Sequence, residues 1–216
     1  LNHNHLSKWA KSKISYVYHS QIIPKIFLPT FNSIVIESFL HRIPNLTKDF
    51  IYLNDEFFIG NMLTLKNIYR DNQPMIYINK NYKRADKNNK QPWLNYYLNG
   101  YNLFESKFPN IYVDFKASHC PYIMNIDVCN KTWNIFGNDL MNTLTKFREP
   151  ISTNFIFLSY MVGLYYGDYK YQLITPDISI YFHCDTAESD CIINSIMNIF
   201  DKKEFFFNIN NLNVKS

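Results

Sequence analysis

The sequence predicts an α/β domain, and three observations support this prediction. Segments with helical spacing of apolar residues alternate with short apolar runs typical of strands, which is the pattern of α/β domains. At 216 residues the chain is long enough for one sizeable domain and too short for two comfortable ones. Hydrophobic residues make up 47% of the chain and aromatic residues 18%, so many bulky side chains require a packed core.

The first helix is predicted over Ser33 to Arg42, because Asn32 or Ser33 can cap it and Pro44 ends it. Its apolar residues Ile36, Phe39, Leu40 and Ile43 recur at helical spacing. Further helices are predicted at residues 93–108, 154–166 (buried) and 189–200, and residues 140–147 form an amphipathic segment.

Strands are predicted at residues 50–53, 57–59, 111–115, 171–173, 178–183 and 204–207. Between these elements, residues 71–91 are mostly polar and show no clear period. We interpret residues 71–91 as an exposed loop excursion from the domain.

Charge argues against nucleic-acid binding. The net charge of +4 is spread along the chain, and the basic cluster from Lys80 to Lys90 is interleaved with asparagines, as in a solvated loop. No basic stripe with regularly placed aromatic residues stands out, so we expect no nucleic-acid partner.

Other classes are also disfavoured. The four cysteines form no C-x-x-C pair, and His183, Cys184 and Cys191 lack the second close ligand pair of a structural zinc site. The longest nearly apolar stretch, Phe155 to Tyr166, is shorter than the roughly 18 residues that a membrane span needs. The chain begins at Leu1 without an initiator Met, and we expect it to be a segment of a longer protein.

A polar stretch, Asn54-Asp55-Glu56, interrupts the apolar run DFIYLNDEFFIG at residues 49–60. Open α/β sheets bind ligands at the carboxyl ends of their strands, and oxygen ligands there suit magnesium together with substrate phosphates. The alternative is a tight hairpin, because Asn-Asp is favourable turn chemistry. The sequence leaves both interpretations open.

Ser33, Glu37 and His41 are spaced four residues apart, so a helix would place them along one stripe. A serine at a helix start is a natural neighbour for a phosphate, and Glu37 facing His41 could orient the imidazole and raise its pKa. The alternative is an exposed polar stripe on an amphipathic helix.

Two further side chains are candidates. His119 follows the strand-like segment YVDFKAS, and it is either a base or a packed structural residue. Arg148 stands just before the helix that starts near Asn154, where it could clamp a phosphate bidentately or only solvate the approach to the helix.

The joint order of these motifs resembles the second signature region of the Stealth family. The elements F-N-S, I-E, L-H-R-I and Y-L-N-D stand at residues 31–33, 36–37, 40–43 and 52–55. Two further segments resemble the third signature region of the family. They are SHCPYIM at Ser118 to Met124 and KFREPISTNFIFLSYMVGLYYG at Lys146 to Gly167. The resemblance covers roughly residues 15–70 and 110–170. The family comprises bacterial capsule sugar-phosphate transferases and the catalytic subunit of eukaryotic N-acetylglucosamine-1-phosphotransferase.

The resemblance implies a single Rossmann-like, glycosyltransferase-like α/β domain with a central mixed sheet flanked by helices. It also implies transfer of a sugar-1-phosphate from a UDP-sugar, such as UDP-N-acetylglucosamine, to a hydroxyl of an acceptor glycan, with release of UMP. Such phosphoryl transfer depends mainly on positioning and charge stabilisation. The implied partners are a nucleotide-sugar donor and a glycan acceptor, and a homo-oligomer is compatible with them. The compartment would be the cytoplasm for a bacterial protein and the Golgi lumen for a eukaryotic one.

The family's roles transfer onto matching positions of this sequence. The resemblance implies His119 as general base and Arg148 as phosphate clamp, with Asp55 and Glu37 completing the catalytic set. The implied substrate-binding residues are Asn32, Ser33, His41, Arg42 and Asn54. The implied ligands of Mg²⁺ or Mn²⁺ are Asp55, Glu56 and Asn211.

The sequence departs from the family pattern at three places. The first signature region, a Trp-Val-Asp-Gly type motif, is absent, and Glu56 replaces the usual second Asp. Asn210 or Asn211 stands where an acid is expected near the C-terminus. Two alternatives therefore stay open: an inactive relative that binds a glycan or a partner subunit, and a metal-dependent glycosyltransferase that releases UDP.

Overall fold

The computed structural model describes residues 12–80, 92–174, 179–183 and 206–210. Helices and strands alternate along the chain, which confirms the α/β prediction. The helices are α1 His19–Ile22, α2 Ser33–Phe39, α3 Leu65–Ile68, α4 Pro92–Lys107, α5 Ile126–Met141 and α6 Phe155–Tyr166, with 3-10 turns at Lys25–Phe27 and Leu40–Arg42. The strands are β1 Asp49–Tyr52, β2 Phe57–Ile59, β3 Tyr69–Arg70, β4 Gln73–Lys80, β5 Phe115–Ala117, β6 Tyr122–Asn125, β7 Lys170–Leu173, β8 Ser179–His183 and β9 Phe206–Asn210.

The strands form mixed and antiparallel sheets. In the four-stranded sheet, β4 pairs antiparallel with β3 and β5 and parallel with β7. A second sheet pairs β1 with β6 antiparallel, in the register Phe50 opposite Met124. A third places β9 between β2, which is antiparallel to it, and β8, which is parallel. The described strands thus fall into three sheets, where we expected one central mixed sheet.

Strand β4 lies at the centre and is buried on both faces. Ile76 and Ile78 pack into the main core, while Met75 and Tyr77 pack into a second cluster on the opposite face. The interpretation of residues 71–91 as an exposed loop is therefore wrong for residues 73–80, and residues 81–91 lie outside the described part. The apolar run of β4 is too short to reveal a period, and only the elements packed on both faces make it a buried strand.

Helix α5 was not predicted, and the amphipathic segment expected at 140–147 is mostly loop after Met141. The side chain of Asn125 accepts a hydrogen bond from the Val128 N–H at 3.1 Å and caps the helix. The buried face of α5 includes Thr132, so its apolar stripe is interrupted in the sequence. The strand expected at 111–115 begins only at Phe115. The helix expected at 189–200 lies outside the described residues.

Helix α6 confirms the buried helix predicted at residues 154–166. The Asn154 side chain accepts from the Phe157 N–H at 2.9 Å, and Gly167 ends the helix in the left-handed conformation with a φ of 75°. Residues 155–163 are all buried, and α4 and α5 pack against the helix. Of the helices in the described ranges, none has the length and apolar character needed to cross a membrane.

Gly163 allows Tyr169 to pack on α6. A Cβ at this position would overlap the buried ring of Tyr169. We expect Gly163→Ala to lower the free energy of unfolding by about 1–3 kcal/mol, because a buried ring and its neighbours must shift. The matched control is Gly137→Ala in α5, where a Cβ would lie 3.3 Å from the Trp133 ring. This control should stay within about 1 kcal/mol of the parent chain. Urea unfolding measures both changes, and equal effects would contradict the packing argument.

Candidate active site

The polar stretch after β1 is a turn whose side chains face other elements. The Phe57 N–H donates to the Asn54 carbonyl oxygen at 3.1 Å, which closes a four-residue turn between β1 and β2. The polar stretch is therefore a turn, but it does not form the tight hairpin that was the alternative, because β1 pairs with β6 and β2 with β9. The same turn directs Glu56 towards His119, so the turn also places carboxylates at a site.

Glu56 and His119 form a close pair, with 2.9 Å between Glu56 Oε1 and His119 Nε2. The imidazole packs edge-on against the Phe57 ring, with the ring centroids 4.8 Å apart. Burial and the nearby charge of Lys116 lower the pKa of His119 to about 4, so the imidazole is neutral at pH 7. With Nε2–H donating to Glu56, Nδ1 is the nitrogen that can accept a proton.

Burial raises the pKa of Glu56, and the neighbouring Asp55 carboxyl raises it further. A hydrogen bond from the Asn54 side chain acts in the opposite direction. Asn54 therefore orients Glu56 in this structure, while Asp55 itself is exposed at the tip of the turn. Two adjacent carboxyl groups with mutual repulsion are an arrangement that a cation would stabilise.

A second group of polar side chains surrounds Glu37, which is buried on α2. The Tyr52 hydroxyl donates to Glu37 Oε1 at 3.4 Å, and Ser33 also hydrogen-bonds the carboxyl. Burial raises the pKa of Glu37 to about 7, although the charge of Arg148 partly opposes this shift. Arg148 Nη2 donates to Ser33 Oγ at 2.5 Å, and the arginine is otherwise exposed. The structure therefore brings Ser33, Glu37 and Arg148 together.

The two groups lie close enough for their charges to interact, and we call the region between them the crevice. The Glu56 charge contributes to the raised pKa of Glu37, and the charges of Glu37, Glu56 and Asp55 all help to raise the pKa of Tyr52. Tyr122 connects the two sides, since its ring stacks on Tyr52 at 6.1 Å between centroids and meets Phe57 edge-on at 5.5 Å. The crevice thus combines a buried acid, a half-buried acid, a neutral histidine and a cationic guanidinium beside aromatic rings.

His41 does not continue the stripe of Ser33 and Glu37. The α-helix ends at Phe39 and the chain tightens into a 3-10 turn, so the four-residue spacing no longer keeps side chains on one line. His41 is buried against the Phe155 ring, and its Nδ1 has no hydrogen-bond partner. Burial and the charge of Arg42 lower its pKa to about 4, so the expected rise in this pKa is wrong.

Two other expected substrate-binding residues have structural contacts. Asn32 is fully buried, and its Oδ1 caps α2 by accepting from the Ile34 N–H at 3.1 Å. Its amide nitrogen donates to the segment that precedes α6, and so the side chain is directed away from solvent. Arg42 is exposed, with its guanidinium 4.9 Å from the centroid of the Phe39 ring.

The three expected metal ligands lie partly inside and partly outside the described part of the chain. Asp55 and Glu56 lie together on the turn, whereas Asn211 lies outside the described residues. Within residues 12–80, 92–174, 179–183 and 206–210, no group of three or more histidine, cysteine, aspartate or glutamate residues could hold a metal ion. A cation held by Asp55 and Glu56 would therefore need further ligands from the substrate or from another segment.

Tyr52 stands in the Y-L-N-D element, but no role was expected for it from the sequence. Its hydroxyl reaches Glu37 from the strand that precedes the turn. Tyr122 and Lys116 were missed as well. Their positions on β6 and β5, beside the turn and His119, follow only from the pairing of strands. The one available signal in the sequence was Tyr52 itself, two residues before the turn that begins at Asn54.

The sequence is similar to those of known proteins. The family model described as Stealth protein CR2, conserved region 2, matches residues 2–76. The capsular polysaccharide phosphotransferase fcs1 of Haemophilus influenzae is 30% identical over 198 residues, which cover 86% of this chain and 53% of that protein. The capsular polysaccharide phosphotransferase LcbA of Aeromonas hydrophila is 28% identical over 194 residues, covering 86% and 52%. A capsular polysaccharide phosphotransferase of Actinobacillus suis is 47% identical over 73 residues, covering 32% and 20%.

The chain is an α/β protein whose sequence is similar to bacterial capsular polysaccharide phosphotransferases. The chain belongs to the Stealth family. It spans about half the length of the two relatives that it matches along most of its own length.

His41 provides a test of the burial that shapes this region. Its pKa of about 4 in the folded chain is below the ordinary value of 6.5, so the unfolded chain binds the proton more tightly. The stability contributed by the neutral imidazole is complete above about pH 6.5 and is lost as the pH falls towards 4. In this window the unfolded chain binds about one more proton at His41 than the folded chain does. We therefore expect His41→Phe to reduce the slope of the free energy of unfolding against pH by roughly 1.4 kcal/mol per pH unit.

Urea unfolding between pH 4 and pH 7 measures this difference, because other titrating groups contribute equally to both proteins. Parallel stability curves for the parent chain and His41→Phe would contradict a buried neutral His41.

Proposed function

We propose that this chain forms part of an enzyme that transfers a sugar-1-phosphate from a UDP-sugar to a hydroxyl of an acceptor glycan, releasing UMP. The printed names of its relatives support the coarser class, because they are capsular polysaccharide phosphotransferases. The observation that carries the finer proposal is the crevice. It contains the Glu56–His119 pair and the Arg148–Ser33 pair, and the charges of Glu56 and Arg148 both act on Glu37 between them. A base on one side and a phosphate-binding cation on the other suit phosphoryl transfer.

In the proposed reaction, the acceptor oxygen forms a bond to the phosphorus that carries the sugar. The bond from this phosphorus to the bridging oxygen breaks, and UMP leaves with the electron pair. His119 takes the proton of the acceptor hydroxyl, and its neutral state at pH 7 supports this role. A pKa of about 4 makes a weak base, and the Glu56 carboxylate offsets this weakness by stabilising the imidazolium that forms.

Arg148 is proposed to hold the phosphate that is transferred. Its guanidinium is exposed and already donates to Ser33 Oγ. A phosphate oxygen can therefore replace or share this contact. A planar guanidinium binds two phosphate oxygens at once, which fixes the orientation of the group. Ser33 would then provide a hydroxyl donor beside the same phosphate.

Asp55 and Glu56 are the residues proposed to hold Mg²⁺ or Mn²⁺. Burial raises the pKa of Glu56 most, and the adjacent Asp55 carboxyl raises it further; this second contribution is the observation that fits a cation. When bound, such an ion would neutralise phosphate charge. The third expected ligand, Asn211, is retained as part of this proposal.

The product nucleotide tests the proposal directly. The full-length protein is incubated with UDP-N-acetylglucosamine and a hexoside acceptor, with magnesium or with chelator, and UMP and UDP are quantified. We expect metal-dependent UMP release that falls on the order of a hundredfold or more in His119→Gln, because the general base is lost. Asp55→Asn should weaken the metal dependence. His19→Gln, which alters an exposed histidine on α1, is the matched control and should retain activity.

UDP as the product would assign the chain to the glycosyltransferases instead. No turnover with several nucleotide sugars, together with retained glycan binding, would favour the non-catalytic relative.

The pKa of Glu37 leads to a separate prediction about donor binding. With this pKa near 7, the carboxyl is mainly neutral below pH 7 and mainly ionised above it. An anionic diphosphate beside Arg148 and Ser33 is repelled by the ionised form. We therefore expect the KM for the UDP-sugar to rise about fivefold from pH 6 to pH 8, equivalent to roughly 1 kcal/mol of repulsion.

Glu37→Gln keeps the shape of the side chain and removes the titration, so its KM should be nearly constant over the same range. The donor diphosphate is a diester and does not titrate near pH 7. A KM that is constant in the parent enzyme would show that Glu37 is not beside the donor.

A further inference from the structure

We propose that Asn99 is a positioning residue that holds the loop carrying Arg148. No role was expected for this asparagine, which lies half-buried on α4. The inference rests on the proposed function of Arg148 as a phosphate clamp. It concerns how the clamp is kept in place.

Arg148 lies in the segment of residues 142–154 that connects α5 to α6 without regular secondary structure. Such a segment lacks the repeating hydrogen bonds of a helix or sheet. Single backbone contacts, such as the Phe31 N–H donating to the Lys146 carbonyl oxygen at 2.8 Å, and side chains hold it instead. Asn99 Nδ2 donates to the Pro150 carbonyl oxygen at 2.8 Å and to the Ser152 carbonyl oxygen at 2.9 Å. Both hydrogens of the amide are therefore used, two and four residues after Arg148.

Asn32 restrains the same segment from the side of α2. Its amide nitrogen lies 3.3 Å from the Thr145 and Phe147 carbonyl oxygens and 3.4 Å from Ser152 Oγ. Ser152 closes the turn, because its N–H donates to the Glu149 carbonyl at 2.9 Å and its Oγ accepts from the Glu149 N–H at 3.3 Å. The backbone on both sides of Arg148 is thus held by two asparagines from different helices.

Asn99 is itself on a firm support. The next residue, Gly100, lets α4 approach α6 so closely that a Cβ would lie 3.3 Å from Phe157 Cδ1. Tyr97 packs on the same phenyl ring with 5.0 Å between centroids, and the Asn154 N–H donates to the Tyr96 carbonyl at 3.1 Å. The support for the loop is therefore the core contact between two long helices.

This arrangement matters because the Arg148 side chain is long and exposed. A fixed backbone limits the positions that its guanidinium can sample, which lowers the entropy lost when it binds phosphate. A misplacement of about 1 Å in such a group can cost on the order of a hundredfold in rate. Asn99 would act through Arg148 and touch no substrate.

The test is Asn99→Asp, which preserves the shape of the side chain but removes both donated hydrogens. It also places a carboxylate against two carbonyl oxygens. The matched control is Asn102→Asp, which makes the same charge change at an exposed position one turn further along α4. We expect kcat/KM for UMP release from the donor to fall about tenfold or more in Asn99→Asp and to change less than twofold in the control.

A double-mutant cycle with Arg148→Ala separates positioning from general structural damage. If Asn99 acts through Arg148, Asn99→Asp lowers kcat/KM no further in the Arg148→Ala background, while its shift in Tm is the same in both backgrounds. Additive losses in kcat/KM would overturn the proposal, as would full activity of Asn99→Asp. If Arg148→Ala alone retains full activity, the proposed role of Arg148 fails instead, and the two failures are distinguishable.

Discussion

The burial of α6 is the constraint on which the rest of the structure depends. A helix whose residues 155–163 are all buried has no face for water, so other elements must surround it. Helices α4 and α5 cover it, and the core includes Ile76 and Ile78 of β4. Because the loop before α6 carries Arg148, the position of the helix also sets the position of the charged side of the crevice.

Desolvation shifts the pKa values of the crevice residues more than any single charged neighbour does. Burial is the largest cause of the raised pKa of Glu37 and Glu56 and of the lowered pKa of His119. All three shifts favour the neutral form of the side chain, as expected where water is partly excluded. An anionic, metal-bound substrate would change this balance, which is a reason to regard the crevice as a substrate site.

Membership in the Stealth family and the half-length coverage of the relatives fit together. The region matched by the family model ends at residue 76, within β4, and the relatives align far beyond it. The described crevice combines residues from the matched region, such as Glu37 and Glu56, with His119 and Arg148 from later segments. The later segments therefore belong to the same site as the conserved region, which a match to one region alone does not reveal.

The sequence by itself determined the α/β class, the capped helix at Ser33 and the buried helix α6, and it offered the polar turn at Asn54 as one of two interpretations. These features depend on local patterns, such as caps, turn chemistry and an unbroken apolar run, that act within a few residues. The candidate residues Ser33, Glu37, Glu56, His119 and Arg148 were also selected from the sequence, chiefly through the resemblance to a known family. Their arrangement into two groups around one crevice was not.

Only the tertiary structure decided the burial of β4, the inward position of His41 and the hydrogen bonds of Tyr52 and Asn99. Each depends on contacts between segments distant in the chain: β4 is covered by elements on both faces, and Asn99 meets carbonyl groups about fifty residues away. The asparagine signals only polarity in the sequence, because its amide is equally suited to solvent, a cap or a carbonyl partner. Which of these it meets is fixed by helix packing, and packing is a property of the whole core.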